Sequence, residues 1–157
     1  MIYVLDTNSL SNILAHYYPD SFLTFWKYFD EAAADGSITS VRESKLELED
    51  RFSEEQTKRL LCANGDFFAS PNVDELAFIT KIYAVPHFQH NLEQKKLLKG
   101  GPFADPFIIA KAILVKGVVV TEETLRPHAA KIPNICDHFG IECICLKDFL
   151  VKEDWRS

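Results

Sequence analysis

Ile2-Tyr-Val-Leu-Asp-Thr-Asn8 decides the fold. Its first four residues are apolar and rich in β-formers without alternation, the pattern of a strand buried on both faces in a parallel sheet. Asp6, Thr7, Asn8 and Ser9 are helix-capping types, so the strand is expected to turn at once into a helix that reaches Ala15. A buried strand feeding directly into a helix opens an α/β unit.

The chain continues in that alternation. Tyr17-Tyr-Pro-Asp20 breaks the first helix, and a second, carrying Phe22, Phe25, Trp26 and Phe29, is expected to stop at Gly36. Those aromatics read as core or subunit interface in preference to base-stacking platforms. Ser37-Ile-Thr-Ser40 is the second strand, followed by a helix from about Val41 to Phe52 and further helices across Glu54 to Leu98. Gly100-Gly-Pro102 punctuates before a strongly apolar helix, Ala104 to Lys116, with Pro106 in its first turn and Gly117 at its end. Val118-Val-Val120 is the third strand, Pro133 to Phe139 a short helix, and Glu142 to Leu146 a fourth strand before a charged tail. The alternation gives an α/β sandwich with a mainly parallel sheet, in a single domain over residues 1–157.

Composition narrows the function. The 157 residues include 17 basic and 23 acidic ones, a net charge of -6, with 47% hydrophobic and 25% charged positions, as in an ordinary globular protein. An acidic chain is poorly suited to broad phosphate-backbone binding, although a local basic rim is compatible with it. The apolar run at the start ends at Asp6, too short for a signal peptide or a membrane span. Cys62, Cys136, Cys143 and Cys145 form no Cys-x-x-Cys pair and read as free thiols. A cytoplasmic protein without a membrane partner is expected. A zinc site from Cys136, His138, Cys143 and Cys145 fits no common spacing, and His87 with His90 reads as surface.

Ligands in an open parallel sheet collect beyond the carboxyl ends of the strands. Acids follow all three clear strands: Asp6; Glu43 and Glu47 in the helix after the second; and Glu122 and Glu123 after Thr121. Asp105 adds another at the start of the apolar helix. Carboxylates gathered on one rim repel, by about 1 kcal/mol per pair at 4 Å in water and several times more at a protein-like dielectric. A divalent cation removes that penalty. Hard oxygen donors without His or Cys select Mg²⁺ or Mn²⁺, which suit phosphodiester hydrolysis.

Capping competes with this reading at each position. Asp6 and Asp105 both precede helices, with Asp105-Pro106 resembling an N-cap and a first-turn proline, and Glu122 and Glu123 could favour a helix dipole. On the helix after strand two, Val41, Ser44, Leu48 and Phe52 form the expected buried stripe. At about 100° per residue Glu47 lies roughly 100° from Leu48, Glu43 nearer 140° and Asp50 farther still. Glu47 is therefore expected along the rim, with Glu43 more outward and Asp50 in water.

These residues carry a resemblance. Ile2-Tyr-Val-Leu-Asp-Thr-Asn8, Ile38-Thr-Ser-Val-Arg-Glu-Ser-Lys-Leu-Glu-Leu48, Ala104-Asp-Pro-Phe-Ile-Ile-Ala-Lys-Ala112 and Val118-Val-Val-Thr-Glu-Glu123 resemble the successive motifs of the PIN-domain nucleases, in order and over most of the chain. The chain looks closest to a PIN-like branch related to the toxins of prokaryotic toxin-antitoxin modules. The resemblance implies a three-layer α/β/α sandwich around a mainly parallel sheet of four or five strands, and an acidic Mg²⁺ or Mn²⁺ site that cleaves RNA by metal-activated water. It makes Asp6, Glu47, Asp105 and Glu123 the candidate catalytic and metal-ligating residues.

Glu123 stands where that family usually has Asp, and Glu122 is its rival. Asn8, Thr121 and Glu43 would support the metal, and Lys95, Lys96 and Lys99 would offer positive charge to an RNA strand. The implied partners are RNA and an antitoxin protein, and a homodimer is compatible with the sequence. The alternative is a degenerate PIN-like module that binds RNA or protein without cutting. A small-molecule phosphatase is disfavoured, because Asp-Thr-Asn lacks the second Asp of the aspartate-nucleophile enzymes.

Overall fold

Val4 projects from one face of strand β1 (Tyr3–Leu5) while Tyr3 and Leu5 project from the other, and all three are buried. The computed structural model describes residues 1–61 and 66–155. Within it β1 lies at the centre of a five-stranded sheet with β2 (Ile38–Val41), β3 (Phe68–Ala69), β4 (Val118–Val120) and β5 (Cys143–Ile144), in the order β3-β2-β1-β4-β5. Every neighbouring pair is parallel; Tyr3 stands opposite both Ile38 and Val118.

Helices cover both faces. Against Tyr3, Leu5, Val118 and Val120 pack Leu10 and Ile13 of α1 (Thr7–His16), Phe25, Trp26 and Phe29 of α2 (Leu23–Asp35), and Phe149 of α9 (Leu146–Lys152). The aromatics of α2 are thus core residues. Truncating one such as Phe29, fully buried, costs about 3–5 kcal/mol. Against Val4 and Val119 pack Ile82 of α5 (Val73–Tyr83), Phe88 and Leu92 of α6 (Pro86–Lys99), Ile108, Ile109 and Ala112 of α7 (Asp105–Val115), and Ile132 and Ile135 of α8 (Ile132–Phe139). α3 (Arg42–Arg51) and α4 (Glu54–Leu61) lie between β2 and β3 in the chain. The result is the expected three-layer α/β/α sandwich, with a sheet that is parallel throughout. Among the described residues no helix is long and apolar enough to cross a membrane.

Four local expectations are corrected. Phe68 and Ala69, expected within a helical stretch, form β3, an edge strand too short to leave a periodic signal. The fourth strand expected over Glu142 to Leu146 shrinks to Cys143–Ile144, and the charged tail becomes α9 (Leu146–Lys152), anchored by buried Phe149. No helix follows Thr121: the chain from there to α8 is irregular, so Glu122 and Glu123 serve no helix of their own. Helix α7 ends at Lys116, which takes the left-handed conformation at φ 53°. Gly117 is needed for another reason, since a Cβ there would lie 2.5 Å from the carbonyl oxygen of Ile2. Cys62 lies outside the described residues; Cys136, Cys143 and Cys145 are free thiols.

The sheet order runs away from β1 in both directions, toward β2 on one side and β4 on the other. Such a reversal opens a crevice at the carboxyl ends of the central strands.

Candidate active site

Asp6 sits at that crevice because β1 ends one residue before it. Its N–H donates to the carbonyl of Val120 at 3.0 Å, and its Oδ1 accepts the Ser9 N–H at 2.8 Å as the N-cap of α1. Oδ2 accepts the Thr121 hydroxyl at 2.5 Å, whose oxygen in turn accepts the Glu123 N–H at 3.1 Å. Capping and a place at the site therefore coincide in one side chain. Only 2% of Asp6 is exposed. Burial pushes its carboxyl up to about 7, against the hydrogen bonds from Thr121 and Ser9; the charge of Asp105 adds to the rise.

Glu47 reaches the same crevice from α3, at 3% exposure. One oxygen accepts the Thr7 hydroxyl, which also stands 3.0 Å from Ser44 Oγ. The other accepts the Ala104 N–H at 3.1 Å and is ion-paired with Lys99. This carboxylate joins α1, α3, α6 and the start of α7.

Asp105 is the first residue of α7, with Ala104 as the N-cap and Pro106 following it. Its carboxylate makes no capping hydrogen bond; Oδ2 accepts the Lys95 ammonium at 3.0 Å. The expected cap is thus replaced by an ion pair across the crevice. Glu123 lies 3.8 Å from the Lys131 ammonium, with 13% of its side chain exposed. Burial and the charge of Asp105 raise its carboxyl above the usual range, against the pull of Lys95 and Lys131.

Asp6, Glu47, Asp105 and Glu123 line one open cleft of about 480 Å³ together with Asn8, which is exposed. Glu122 points away. It accepts the Leu146 N–H at 2.8 Å, satisfying the start of α9, and faces a separate groove beside Tyr17 and Trp155. Glu43 is not outward but buried, because α3 springs directly from a central strand and its first turn is covered. It pairs with Arg42 at 2.6 Å and, among the described residues, leaves Oε1 without a hydrogen-bond partner; burial raises the carboxyl of Glu75 on α5, and the charge of Glu43 adds to that rise. Lys96 is exposed and does not line the cleft. Lys95 and Lys99 do, but they hold carboxylates. The sequence reading missed Thr7, Arg51 and Lys131. Thr7 follows Asp6 and looked like one more capping residue; Lys131 sits in an irregular stretch without a pattern.

Residues 3–157 match the protein family described as Domain of unknown function (DUF4411). The chain belongs to that family. No curated protein matches it. Among solved structures it is similar to one described as "Crystal structure of VapBC2 from Rickettsia felis bound to a DNA fragment from their promoter", at 18% identity and a TM-score of 0.45, over 92% of this chain and 98% of that chain.

The donor set of this DUF4411 chain, carboxylate oxygens with hydroxyls behind them, suits a hard divalent cation in its chemistry. Among the described residues no three His, Cys, Asp or Glu side chains stand close enough together to hold a metal as they are. The ammonium groups of Lys95, Lys99 and Lys131 stand against Asp105, Glu47 and Glu123 instead. The cleft is therefore built for positive charge, and its own lysines provide it.

Proposed function

We propose that the cleft is the active centre of a PIN-like endoribonuclease that uses Mg²⁺ or Mn²⁺, and that the chain is the toxin of a toxin-antitoxin pair. The observation that carries this reading is the meeting of Asp6, Glu47, Asp105 and Glu123, far apart in sequence, in one cleft beyond the carboxyl ends of the strands. Asp6, Glu47 and Asp105 would hold the cation, with Glu123 at the edge. When bound, it lowers the pKa of the attacking water and neutralises charge on the phosphate.

The protein's own groups do the positioning. Thr121 and the Ser9 N–H fix the rotamer of Asp6; Thr7 and the Ala104 N–H fix that of Glu47. Such supporting contacts are worth about 10- to 100-fold in metal affinity or activity. Arg51 and Lys131 line the cleft, a local basic rim on an acidic chain that confines RNA to the crevice. An antitoxin that covers this rim would silence it.

Purified protein should cut single-stranded RNA with Mn²⁺ or Mg²⁺ and stop in EDTA. Equal cleavage in EDTA by contaminant-free protein would sink the proposal. A second reading, a PIN-like module that binds RNA or protein without cutting, is favoured by the three lysine–carboxylate pairs. It predicts RNA binding with no cleavage under either metal.

A further inference from the structure

Three of the four cleft acids carry an internal cation. Lys95 and Lys99 are four residues apart on α6 and so project from one face, toward Asp105 and Glu47 respectively; Lys131 approaches Glu123 from just before α8. The acids are buried or nearly so, at 19%, 3% and 13% side-chain exposure, while the lysines keep 35%, 29% and 36%. That asymmetry matters. The carboxylates are the less exposed partners, and the ammonium groups sit on flexible four-carbon stems that already reach water. An ammonium brings one charge to a carboxylate, whereas a divalent cation brings two at shorter range, so the two compete for the same oxygens.

We propose that Lys95, Lys99 and Lys131 are exchange residues. They are the counter-ions of the acids in the metal-free protein, and they become phosphate contacts for the RNA strand when a divalent cation takes the carboxylates. The inference rests on the metal-dependent reading above and deepens it, because it makes cation binding and RNA binding mutually reinforcing. Without the cation the cleft is charge-balanced and has few free positive groups for a phosphate. With it, three ammonium groups are released beside the scissile strand. The lysines act as positioning residues whose availability is set by the state of the acids.

The test follows the lysines themselves, on the wild-type chain. Acylation of each lysine by an amine-reactive ester is read by peptide mass spectrometry in EDTA, in millimolar Mg²⁺, and in Mg²⁺ with a phosphorothioate-linked uridine dodecamer that keeps its charge and resists hydrolysis. Lys96, exposed and off the cleft, is the internal reference. Labelling of Lys95, Lys99 and Lys131 relative to Lys96 should rise severalfold with Mg²⁺ and fall back when the dodecamer is added. A second arm measures Mn²⁺ affinity by calorimetry: Lys99→Gln removes the competitor on Glu47 and should bind Mn²⁺ about tenfold more tightly than wild type. If Mn²⁺ binds but labelling does not rise, or Lys99→Gln binds it no more tightly, the exchange is overturned while the metal reading stands. A rise that the dodecamer does not reverse overturns the phosphate role. If neither cation binds wild type or variant, both readings fall together.

Discussion

Asp6 and Glu47 face one cleft and are almost equally buried, at 2% and 3% exposure, yet they are neutralised by opposite means. Glu47 has a lysine ammonium, a hydroxyl and a peptide N–H. Asp6 is held by neutral donors, the Ser9 N–H and the Thr121 hydroxyl. The difference follows from reach. Asp6 is a short side chain just past the end of the central strand and, among the described residues, no lysine ammonium reaches ion-pairing distance of it; Glu47 extends from α3 to the ammonium of Lys99 on α6. Neutral donors only partly offset the desolvation of a charge, so Asp6 rises to about 7. The deep acid has the most to gain from an external cation.

The largest effect that can break this comparison is on cleavage. Asp6→Asn, Glu47→Gln and Asp105→Asn each keep size and most hydrogen bonds while losing the charge, and each should lower RNA cleavage at least about a hundredfold with the fold intact by circular dichroism. If Asp6→Asn turns over like wild type, the deep acid is only the cap of α1. Thr121→Val tests the next layer: it removes the hydroxyl that links Asp6 to the Glu123 N–H, and should cost about tenfold or more in cleavage rate.

The comparison also has a signature in pH. The folded carboxyl of Asp6 lies above its unfolded value, so its contribution to stability is fully present below about pH 4 and is lost as pH rises through about 7. Between pH 6 and 8 that loss amounts to about 1.4 kcal/mol, a fall of about 3 °C in melting temperature for a chain of this size. Glu123, also raised, acts in the same direction. In EDTA the wild type should therefore melt lower at pH 8 than at pH 6, and Asp6→Asn should flatten most of that slope. A wild-type melting temperature that climbs over this window would show that Asp6 is not the group in control.

The same two acids show what the sequence makes legible. Asp6 was readable because a fully apolar strand ends at a capping residue, and the strand's burial on both faces fixed the sheet's parallel character. Glu47 was readable because its angle from Leu48 on α3 places it at the edge of the buried stripe. Glu43 was misjudged on the same wheel, since angle alone ignores neighbouring elements: Glu43 is buried, and its charge acts on Glu75 of α5. The pairing of Lys95, Lys99 and Lys131 with the acids was not legible at all: lysine stems span several ångströms, and which carboxylate they meet depends on how α6 and the irregular stretch before α8 cross the cleft. β3 and α9 escaped for a different reason, being too short for any period to register.

The smallest effect separates two adjacent acids. Glu122 and Glu123 have the same side chain and follow the same strand, but Glu123 turns into the cleft and Glu122 turns out to the start of α9, where it accepts the Leu146 N–H. Glu122→Gln retains an amide oxygen that can accept that bond and loses only the favourable charge at a helix start, about 0.3–1 kcal/mol. Cleavage by this variant should stay within about twofold of wild type, with a melting temperature lowered by a degree or two. Glu123→Gln should do the reverse, cutting activity about tenfold while relieving a buried, repelled carboxylate and so melting at or above wild type in EDTA at pH 8. Should Glu122→Gln prove the more damaging to cleavage, the cleft geometry around Thr121 would have to change on substrate binding, bringing the outer of the two acids inward.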